Sequence, residues 1–373
     1  MKILHVVPSF GLGGMEKVLC AIINATMHEY DHTLLALDNK HDATRWIHGH
    51  NMRLVDFCKP QGRRQYFQAL YHAIRTVRPA MLMTYNWGAT DAIWLGRLSG
   101  VHKIVHNEHG FNIDEATSLL WKRALVRFAV YRLASKTVVV SHELLHMLSK
   151  KFCLGTHKVA FIPNGIDTNI YCRNDRARER MRRALHFENK HFVIGFSGRL
   201  DPVKNFDLMI KVFASCRQKD PCYKFLLIGA GPEEKRLATL CQDRGLREHV
   251  HFAGQQDDVL PYLNTLDAFI LTSYREQMPM TILEAMSMGI PTVASRVGEI
   301  PYVIDHGTDG FLVSPQAAPE TWAEIFISLK NEAKYKHVGL LARQKILATF
   351  RDQEMIRSYR SLIESVVRSE PRL

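Results

Sequence analysis

The strict alternation of short apolar runs with amphipathic helical segments constrains this chain more than any other feature of its sequence. In the first half, seven apolar runs of strand length occur, and most of them are separated by segments with helical periodicity. Such alternation is typical of a parallel sheet that is covered by helices on both faces. The predicted strands are Lys2–Val7, His32–Asp38, Met52–Phe57, Ala80–Tyr85, Lys103–Glu108, Lys136–Ser141 and Lys158–Pro163.

The second half repeats this plan with six further runs, and 373 residues are too many for one ordinary core. We therefore predict two doubly wound α/β domains, which bind ligands at the carboxyl ends of their strands. The predicted divisions are an N-terminal domain at 1–170, a charged linker at 171–190, a C-terminal domain at 191–350 and a tail helix at 351–373. The six runs are Phe192–Ser197, Lys224–Ile228, Val250–Ala253, Ala268–Ser273, Thr292–Ser295 and Phe311–Val313.

The composition is that of a soluble globular protein, with 46% apolar and 23% charged residues. No stretch approaches the ~20 apolar residues of a membrane span. The apolar run before Pro8 is too short for the core of a signal peptide. Seven cysteines, an odd number at no metal-like spacing, indicate free thiols in a reducing compartment. The expected location is the cytoplasm, or the inner face of the membrane.

The net charge of +12 lies entirely in the first half of the chain. Residues 1–190 hold 27 Lys and Arg against 15 Asp and Glu, whereas the remaining residues hold 22 of each kind. Nucleic acid, an anionic membrane and an anionic substrate each fit this excess, as does solubility alone. The excess includes the helical segment Ser118–Lys136, whose core face is predicted as Leu120, Ala124, Phe128 and Tyr131. Its opposite face mixes cations with apolar groups, which suits either a membrane interface or a cover of neighbouring chain.

Two carboxylates stand eight residues apart in the segment Tyr274–Pro291. Glu276 lies in a polar loop after a strand, and Glu284 lies in the first turns of the helix that follows. A helix N-terminus binds anions through its free N–H groups, and the helix dipole adds to that attraction. The carboxylates can accept hydrogen bonds from sugar or ribose hydroxyls, or they can be solvated surface charges.

Two cations and a glycine turn follow other strands. Arg199 and Lys204 flank a turn after Phe192–Ser197, where they suit a diphosphate or form a solvated basic loop. Gly13 and Gly14 end a G-x-G-G turn that permits close backbone approach to a ligand. This turn departs from the G-x-G-x-x-G dinucleotide pattern, so a nicotinamide site is poorly supported.

The histidines around the fifth strand do not form a metal site. His106 and His109 point to opposite faces of a strand, and no cysteine or carboxylate cluster completes a ligand set. His109 lies at the end of that strand beside Gly110, where it is a candidate for polar contact with a substrate.

Taken together, these motifs resemble the retaining glycosyltransferases of family 4, which have the GT-B fold of two Rossmann-like domains facing a cleft. The likeness extends nearly from end to end. It rests on the glycine turn, EHG at 108–110, PNGID at 163–167, SGR-x4-K at 197–204, IGAGP at 228–232 and E-x7-E at 276–284.

The resemblance implies donor-binding and catalytic roles for the two cations and the two carboxylates. Arg199 and Lys204 would hold the donor diphosphate. Glu276 would contact the donor sugar as a catalytic residue, and Glu284 would bind the ribose. The resemblance also implies that the tail helix crosses back to the first domain.

Four further positions complete the implied site. Gly13 and Gly14 would face the diphosphate from the first domain, on the acceptor side, and His109 would meet the transferred sugar as the other catalytic residue. Gln256 lies in a segment that resembles the family's base-binding loop.

The segment after the first carboxylate contains the one marked departure from the family. Gln277, Met278 and Pro279 would meet the sugar hydroxyls and the phosphate. The family usually has glycine at position 277, so the side chain of Gln277 puts the identity of the donor in question.

The implied activity is hexosyl transfer with retention from a UDP- or GDP-type nucleotide sugar, without a metal or another cofactor. The acceptor is expected to be a glycan or a lipid-linked glycan of cell-surface polysaccharide synthesis, reached by peripheral contact with an anionic membrane. Two alternatives stay open: a sugar-nucleotide epimerase of the same fold, and a basic nucleic-acid-binding module. Nucleic acid is not an expected partner, because the sequence lacks the interleaved aromatics of single-strand binders.

Overall fold

The computed structural model describes residues 1–49, 52–110 and 121–368, which form two compact units. Unit 1 contains residues 1–164 and resumes at residue 352, whereas unit 2 is continuous over Gly165–Arg351. In the described residues each unit is built on one parallel sheet, and strands alternate with helices. This architecture confirms the predicted fold class.

The sheet of unit 1 has seven strands in the described residues, and every neighbouring pair is parallel. They are β1 (Lys2–Val7), β2 (Asp31–Ala36), β3 (Arg53–Val55), β4 (Met81–Tyr85), β5 (Ile104–Glu108), β6 (Lys136–Val139) and β7 (Val159–Phe161). Their order is β3-β2-β1-β4-β5-β6-β7, so the winding reverses between β1 and β4. A reversal of this kind opens a ligand crevice at the carboxyl ends of the two strands.

Five helices of the described residues accompany this sheet before the chain enters unit 2. They are α1 (Gly14–Thr26), α2 (Arg63–Val77), α3 (Asp91–Leu98), α4 (Trp121–Val130) and α5 (His142–His146). Ile3–Val7 is buried throughout, because helices cover both faces of the sheet.

Unit 2 repeats the arrangement with six strands in the order β10-β9-β8-β11-β12-β13, again all parallel. The strands are β8 (Phe192–Ser197), β9 (Tyr223–Ile228), β10 (Val250–Gly254), β11 (Ala268–Leu271), β12 (Thr292–Ser295) and β13 (Phe311–Val313). Its winding reverses between β8 and β11. The helices are α6 (Asp175–Ala184), α7 (Phe206–Lys219), α8 (Glu234–Asp243), α9 (Leu260–Asn264), α10 (Met280–Ser287), α11 (Ile300–Val303), α12 (Pro319–Ser328) and α13 (Glu332–Thr349).

The charged segment 171–190, predicted as a linker, lies inside unit 2 and contains α6. Arg178 and Arg182 of that helix pair with the carboxylate of Asp267, at N–O distances of 2.5 and 3.1 Å. They also donate to the backbone carbonyls of 264–266. The arginines are therefore partners of a buried loop rather than solvated charges.

The predicted burial of the segment Ser118–Lys136 is partly wrong. Phe128, predicted in the core, is 43% exposed, whereas Arg127, predicted on the outer face, is fully buried. Arg127 turns inward because Glu108 provides a buried counter-ion, with Nε 3.7 Å from Oε2. Tyr131 is buried as predicted, and Leu120 lies outside the described residues.

The C-terminal helix α14 (Asp352–Arg368) belongs to unit 1, where it packs against α1. Its apolar face is buried at Met355, Tyr359, Leu362, Ile363 and Val366. Among the helices of the described residues, none is long and apolar enough to cross a membrane.

Candidate functional site

In unit 2, predicted site residues gather at the carboxyl ends of β8 and β11, where the winding reverses. Arg199 lies in the loop after β8, and Glu276 lies in the loop between β11 and α10. A short 3-10 turn, Pro202–Lys204, brings the lysine to the same edge of the sheet. The position agrees with the general location of ligands in open parallel sheets.

Lys204 and Glu276 meet directly. The ammonium Nζ lies 2.5 Å from the carboxylate Oε1, and both side chains are largely buried. Ser273 donates its hydroxyl to the same carboxylate oxygen at 2.6 Å. The structure thus brings the predicted phosphate-binding cation and the predicted sugar-binding carboxylate into one pair.

Backbone and hydroxyl contacts fix the loop that carries Lys204. The Thr272 hydroxyl lies 2.8 Å from the carbonyl of Lys204 and 3.0 Å from that of Asn205. The amide of Tyr274 donates to the carbonyl of Val203 at 2.9 Å. These bonds tie the 3-10 turn to the end of β11, so the ammonium group has a defined position.

Gly298 lets a third loop reach Glu276. Its φ is +53°, and a Cβ at this position would lie 1.7 Å from the carbonyl oxygen of Glu276. No residue with a side chain fits there without moving the backbone. A close approach of this kind restricts the position of the loop that carries Glu276.

Glu284 and Arg199 differ sharply in exposure. Glu284 lies in the second turn of α10 and is 1% exposed. The Arg199 side chain is 67% exposed, and its Nε lies 3.1 Å from the Asp201 carboxylate. Arg199 therefore retains freedom to reorient, whereas Glu284 is held in the packed helix.

The remaining predicted positions of unit 2 have local roles in the structure. Gln277 and Met278 are buried, and Pro279 caps the N-terminus of α10 in an extended conformation. Proline has no N–H to donate, so backbone donation to a ligand comes from its neighbours. The Gln256 amide donates to Ala253 in the turn after β10, two strands from β8.

In unit 1, Gly13 and Gly14 lie at the N-terminus of α1, after the carboxyl end of β1. Glu16 folds back over Gly13, where a Cβ would lie 2.4 Å from Glu16 Oε2. Burial, together with a smaller effect of the charge of Asp38, raises the pKa of the Glu16 carboxyl to about 7. This carboxyl group was not among the residues singled out from the sequence.

His109 follows β5 on the same side of unit 1. Both of its ring nitrogens are buried and have no hydrogen-bond partner in the described structure. Burial lowers the pKa of His109 to about 4, a decrease that the charge of Glu108 partly offsets. The imidazole is therefore neutral at physiological pH, with a donor and an acceptor available to a ligand.

The described residues contain no group of three or more His, Cys, Asp or Glu that could hold a metal ion. A pocket elsewhere in unit 2, lined partly by Lys224, Arg247, His249 and His251, contains none of the predicted site residues.

Two family models together match most of the chain. The model of Glycosyltransferase Family 4 matches residues 12–170, and the model of Glycosyl transferases group 1 matches residues 177–344. The chain belongs to glycosyltransferase family 4. The glycosyltransferase assignment predicted from the motifs is thereby confirmed.

Curated relatives of this glycosyltransferase include two bacterial enzymes. The N-acetyl-alpha-D-glucosaminyl L-malate synthase of Bacillus anthracis is 28% identical over 271 residues, which are 72% of this chain and 69% of the relative. The UDP-Gal:alpha-D-GlcNAc-diphosphoundecaprenol alpha-1,3-galactosyltransferase of Escherichia coli is 27% identical over 224 residues. That alignment covers 58% of this chain and 57% of the relative.

Among solved structures, HepE of Anabaena in complex with UDP and glucose superposes with a TM-score of 0.85. The identity is 21%, over 98% of this chain and 100% of that chain. At this identity the likeness establishes the fold, which is GT-B as predicted.

Sequence reasoning missed the residues that hold the site rather than face a ligand. Thr272 and Ser273 end the predicted run Ala268–Ser273, and their position a few residues before Glu276 was the available signal. Asn86 was also missed, although it directly follows β4. Its backbone conformation is not visible in the sequence.

Proposed function

We propose that this glycosyltransferase moves a hexosyl group from a UDP-sugar to a hydroxyl of a glycan or lipid-linked acceptor, with retention and without a metal. The observation that carries the proposal is the buried pair of Lys204 and Glu276 beside the N-terminus of α10. UDP is favoured over GDP because HepE was solved with UDP and glucose, and because the Escherichia coli relative is named for UDP-galactose.

The leaving nucleotide develops negative charge as the glycosidic bond breaks. Lys204 and Arg199 supply positive charge at the sheet edge, and the first-turn N–H groups of α10 supply a helix dipole. Lys204, which is held by Glu276, and the helix N–H groups are preorganised donors that stabilise the transition state without having to reorient during the reaction. Glu276 accepts hydrogen bonds from donor-sugar hydroxyls once the diphosphate takes over part of its pairing with Lys204.

The test is turnover of a panel of UDP- and GDP-sugars, with nucleotide release and product structure measured by mass spectrometry and NMR. In Lys204→Ala, nucleotide release is expected to fall at least ~100-fold, because one charged transition-state donor is removed. Glu276→Ala is expected to have a comparable effect. The matched control is Lys336→Ala, which removes an exposed lysine of the same unit that pairs only with Glu332.

Near wild-type turnover in both site variants would contradict the proposal. Conversion of the donor sugar to an epimer without any acceptor would identify an epimerase instead. An inverted anomeric configuration in the product would refute retention alone.

The outer face of α4 supports a lipid-linked acceptor. Trp121, Leu125 and Phe128 recur at i, i+4 and i+7 and are exposed, with Trp121 at 67%. Lys122 and Arg123 are on the same helix, and the guanidinium of Arg132 lies 3.7 Å from the centroid of Phe128. Cations interleaved with exposed apolar side chains suit an anionic membrane surface.

Flotation with liposomes tests this part of the proposal. Wild-type protein is expected to float with anionic vesicles at low salt and to dissociate as salt screens the attraction. The double variant Trp121→Ser, Leu125→Ser should lose flotation, whereas Leu98→Ser, at another exposed leucine of unit 1, should keep it. Absence of wild-type flotation at low salt would contradict the membrane contact while leaving sugar transfer unaffected.

A further inference from the structure

Asn86 has a backbone conformation that its residue type rarely adopts. It directly follows β4, and its φ of +54° and ψ of 175° lie outside the left-handed helical region that asparagine tolerates. Glycine adopts such a conformation without a steric penalty. Strain of this kind is retained where the surrounding structure requires the particular side chain.

The Asn86 side chain holds the backbone of His109. Its Oδ1 accepts a hydrogen bond from the His109 N–H at 2.8 Å. Its own N–H donates to the carbonyl of Asn107 at 2.8 Å. Asn86 therefore forms hydrogen bonds to the end of β5 on both sides of Glu108. Glycine at this position could form only the backbone bond to Asn107.

Neighbouring groups also hold the ends of β4 and β5 in place. Asn107 donates its side-chain amide to the Thr84 carbonyl at 3.2 Å and accepts a hydrogen bond from the hydroxyl of Tyr359 of α14, also at 3.2 Å. The Tyr85 ring lies nearly parallel to the His109 ring, with 6.4 Å between centroids and 26° between planes. The backbone and the ring of His109 are thus both supported by the ends of β4 and β5.

A buried chain of hydrogen bonds fixes Tyr85 in turn. Thr26 donates its hydroxyl to the Ile22 carbonyl, so it accepts from Nε2 of His32 at 3.0 Å. His32 Nδ1 then accepts from His5 Nε2 at 2.9 Å, and His5 Nδ1 accepts from the Tyr85 hydroxyl at 3.0 Å. Each group in the chain has one available role, so the tautomers of both histidines are determined.

We propose that Asn86 is a positioning residue for sugar transfer: its strained backbone and side-chain carbonyl hold His109 so that the unpaired imidazole meets the donor sugar. This inference rests on the proposed function. His109 has two buried ring nitrogens without a partner in the described structure, and such groups are costly unless a ligand satisfies them. A fixed imidazole at this strand end can supply a hydrogen bond without an ordering cost when the sugar binds.

The test compares three substitutions by steady-state kinetics and thermal unfolding. Asn86→Gly removes both the strain and the bond to His109, so the midpoint of thermal unfolding should stay the same or rise while kcat falls about 10-fold. KM for the donor should change less than about 3-fold. Asn86→Asp keeps an acceptor oxygen and should retain kcat within about 3-fold, whereas Asn86→Ala keeps the strain, loses the bond and should lower both kcat and the midpoint.

A double-mutant cycle shows whether Asn86 acts through His109. In the His109→Ala background, Asn86→Gly should reduce kcat less than about 2-fold, because the group being positioned is absent. An equal loss in both backgrounds, or an unchanged kcat in Asn86→Gly, would overturn the proposal.

A readout independent of turnover separates this inference from the proposed function. The His109 imidazole is followed by its Cε1 and Hε1 NMR signals in the free protein as the pH is varied. In Asn86→Gly the loosened ring should become hydrated, and its pKa should rise toward the ordinary value. If no donor is turned over, the proposed function fails. The positioning of His109 by Asn86 is refuted separately, by a His109 pKa that is the same in Asn86→Gly as in the wild type.

Discussion

Glu16 places a carboxyl group against the N-terminus of α1, where a carboxylate would ordinarily be stabilised by the helix dipole. Burial outweighs that effect and raises the pKa of this group to about 7. A Cβ on residue 13 would lie 2.4 Å from Glu16 Oε2, so a larger residue there would displace the carboxyl group of Glu16. The glycine turn thus accommodates a side chain of its own helix, besides any ligand.

The stability of unit 1 should depend on pH through Glu16. The folded-state pKa of about 7 exceeds the ordinary value of 4.5. Between pH 4.5 and pH 7 the folded state therefore binds more protons than the unfolded state. The free energy of unfolding should therefore fall by up to ~1.4 kcal/mol per pH unit from pH 4.5 to pH 7 through this group. Glu16→Gln should stabilise the protein more at pH 8 than at pH 5, and the difference between the two effects should be roughly 1–3 kcal/mol. The measurement is native-state hydrogen exchange of β1 at both pH values.

Glu234→Gln is the matched control, because Glu234 is an exposed carboxylate in the first turn of α8. The difference between pH 8 and pH 5 should be larger for Glu16→Gln than for this control. A Glu16→Gln difference no larger than that of the control would show that Glu16 is not desolvated in solution.

At the scale of elements, two helices illustrate how partners override local pattern. The charged sequence of α6 is typical of a solvated connection, yet its arginines Arg178 and Arg182 pair with the carboxylate of Asp267. That carboxylate also accepts a hydrogen bond from the Val193 N–H at 2.7 Å. Helix α13 buries only a narrow stripe, formed by Val338, Gly339, Ala342 and Ile346, which is a weak local signal for a packed helix. Each element is specified by a partner that is remote in the chain.

Removing the Asp267 carboxylate should detach α6. Asp267→Ala leaves Arg182 buried without its counter-ion, which typically costs 3–5 kcal/mol. The expected result is a loss of roughly that size in the urea unfolding of unit 2, with faster hydrogen exchange in α6. Asp243→Ala, at an exposed carboxylate of the same unit, should change stability by less than about 0.5 kcal/mol.

Helix α13 approaches α10 closely at a pair of glycines. A Cβ on Gly339 would lie 2.3 Å from the carbonyl oxygen of Gly289, just after α10. Gly339→Ala should therefore separate the helices and cost about 1–3 kcal/mol of stability, although alanine favours helix formation. The neighbouring Leu340→Ala, at a side chain 56% exposed, is the control and should be nearly neutral. A stabilising Gly339→Ala would show that the helices are not packed this closely.

For the whole molecule, the decisive feature is that unit 1 is assembled from two separated stretches of sequence. Helix α14 is synthesised after all of unit 2, yet its buried residues pack in unit 1, and Tyr359 bonds to Asn107 next to the end of β5. Completion of the unit that contains His109 therefore awaits the synthesis of α14.

Truncation after Arg351 should destabilise unit 1 selectively. The expected result is faster hydrogen exchange in β1 and β4, because the face of α1 that α14 covers becomes exposed, while β8 and β11 keep their protection. The control truncation after Arg368 leaves α14 intact. Equal protection of β1 in both truncated chains would show that α14 contributes little to unit 1.

The strands, most helices, the fold class and the family motifs could be predicted from the order of residues alone. Thirteen apolar runs were predicted, and all thirteen correspond to strands, since fully covered parallel strands must be apolar on both faces. The cations and carboxylates of the motifs could also be named, because their residue types and their spacing after strands are local properties of the chain.

Which polar groups pair and which side chains face inward became evident from the folded chain. Arg127 is buried because Glu108 lies opposite it, Lys204 meets Glu276 across 72 positions of sequence, and Asn86 is strained because its side chain holds His109. The physical reason is that a buried charge or donor is stabilised by its particular partner, and that partner is brought near by the fold rather than by sequence proximity.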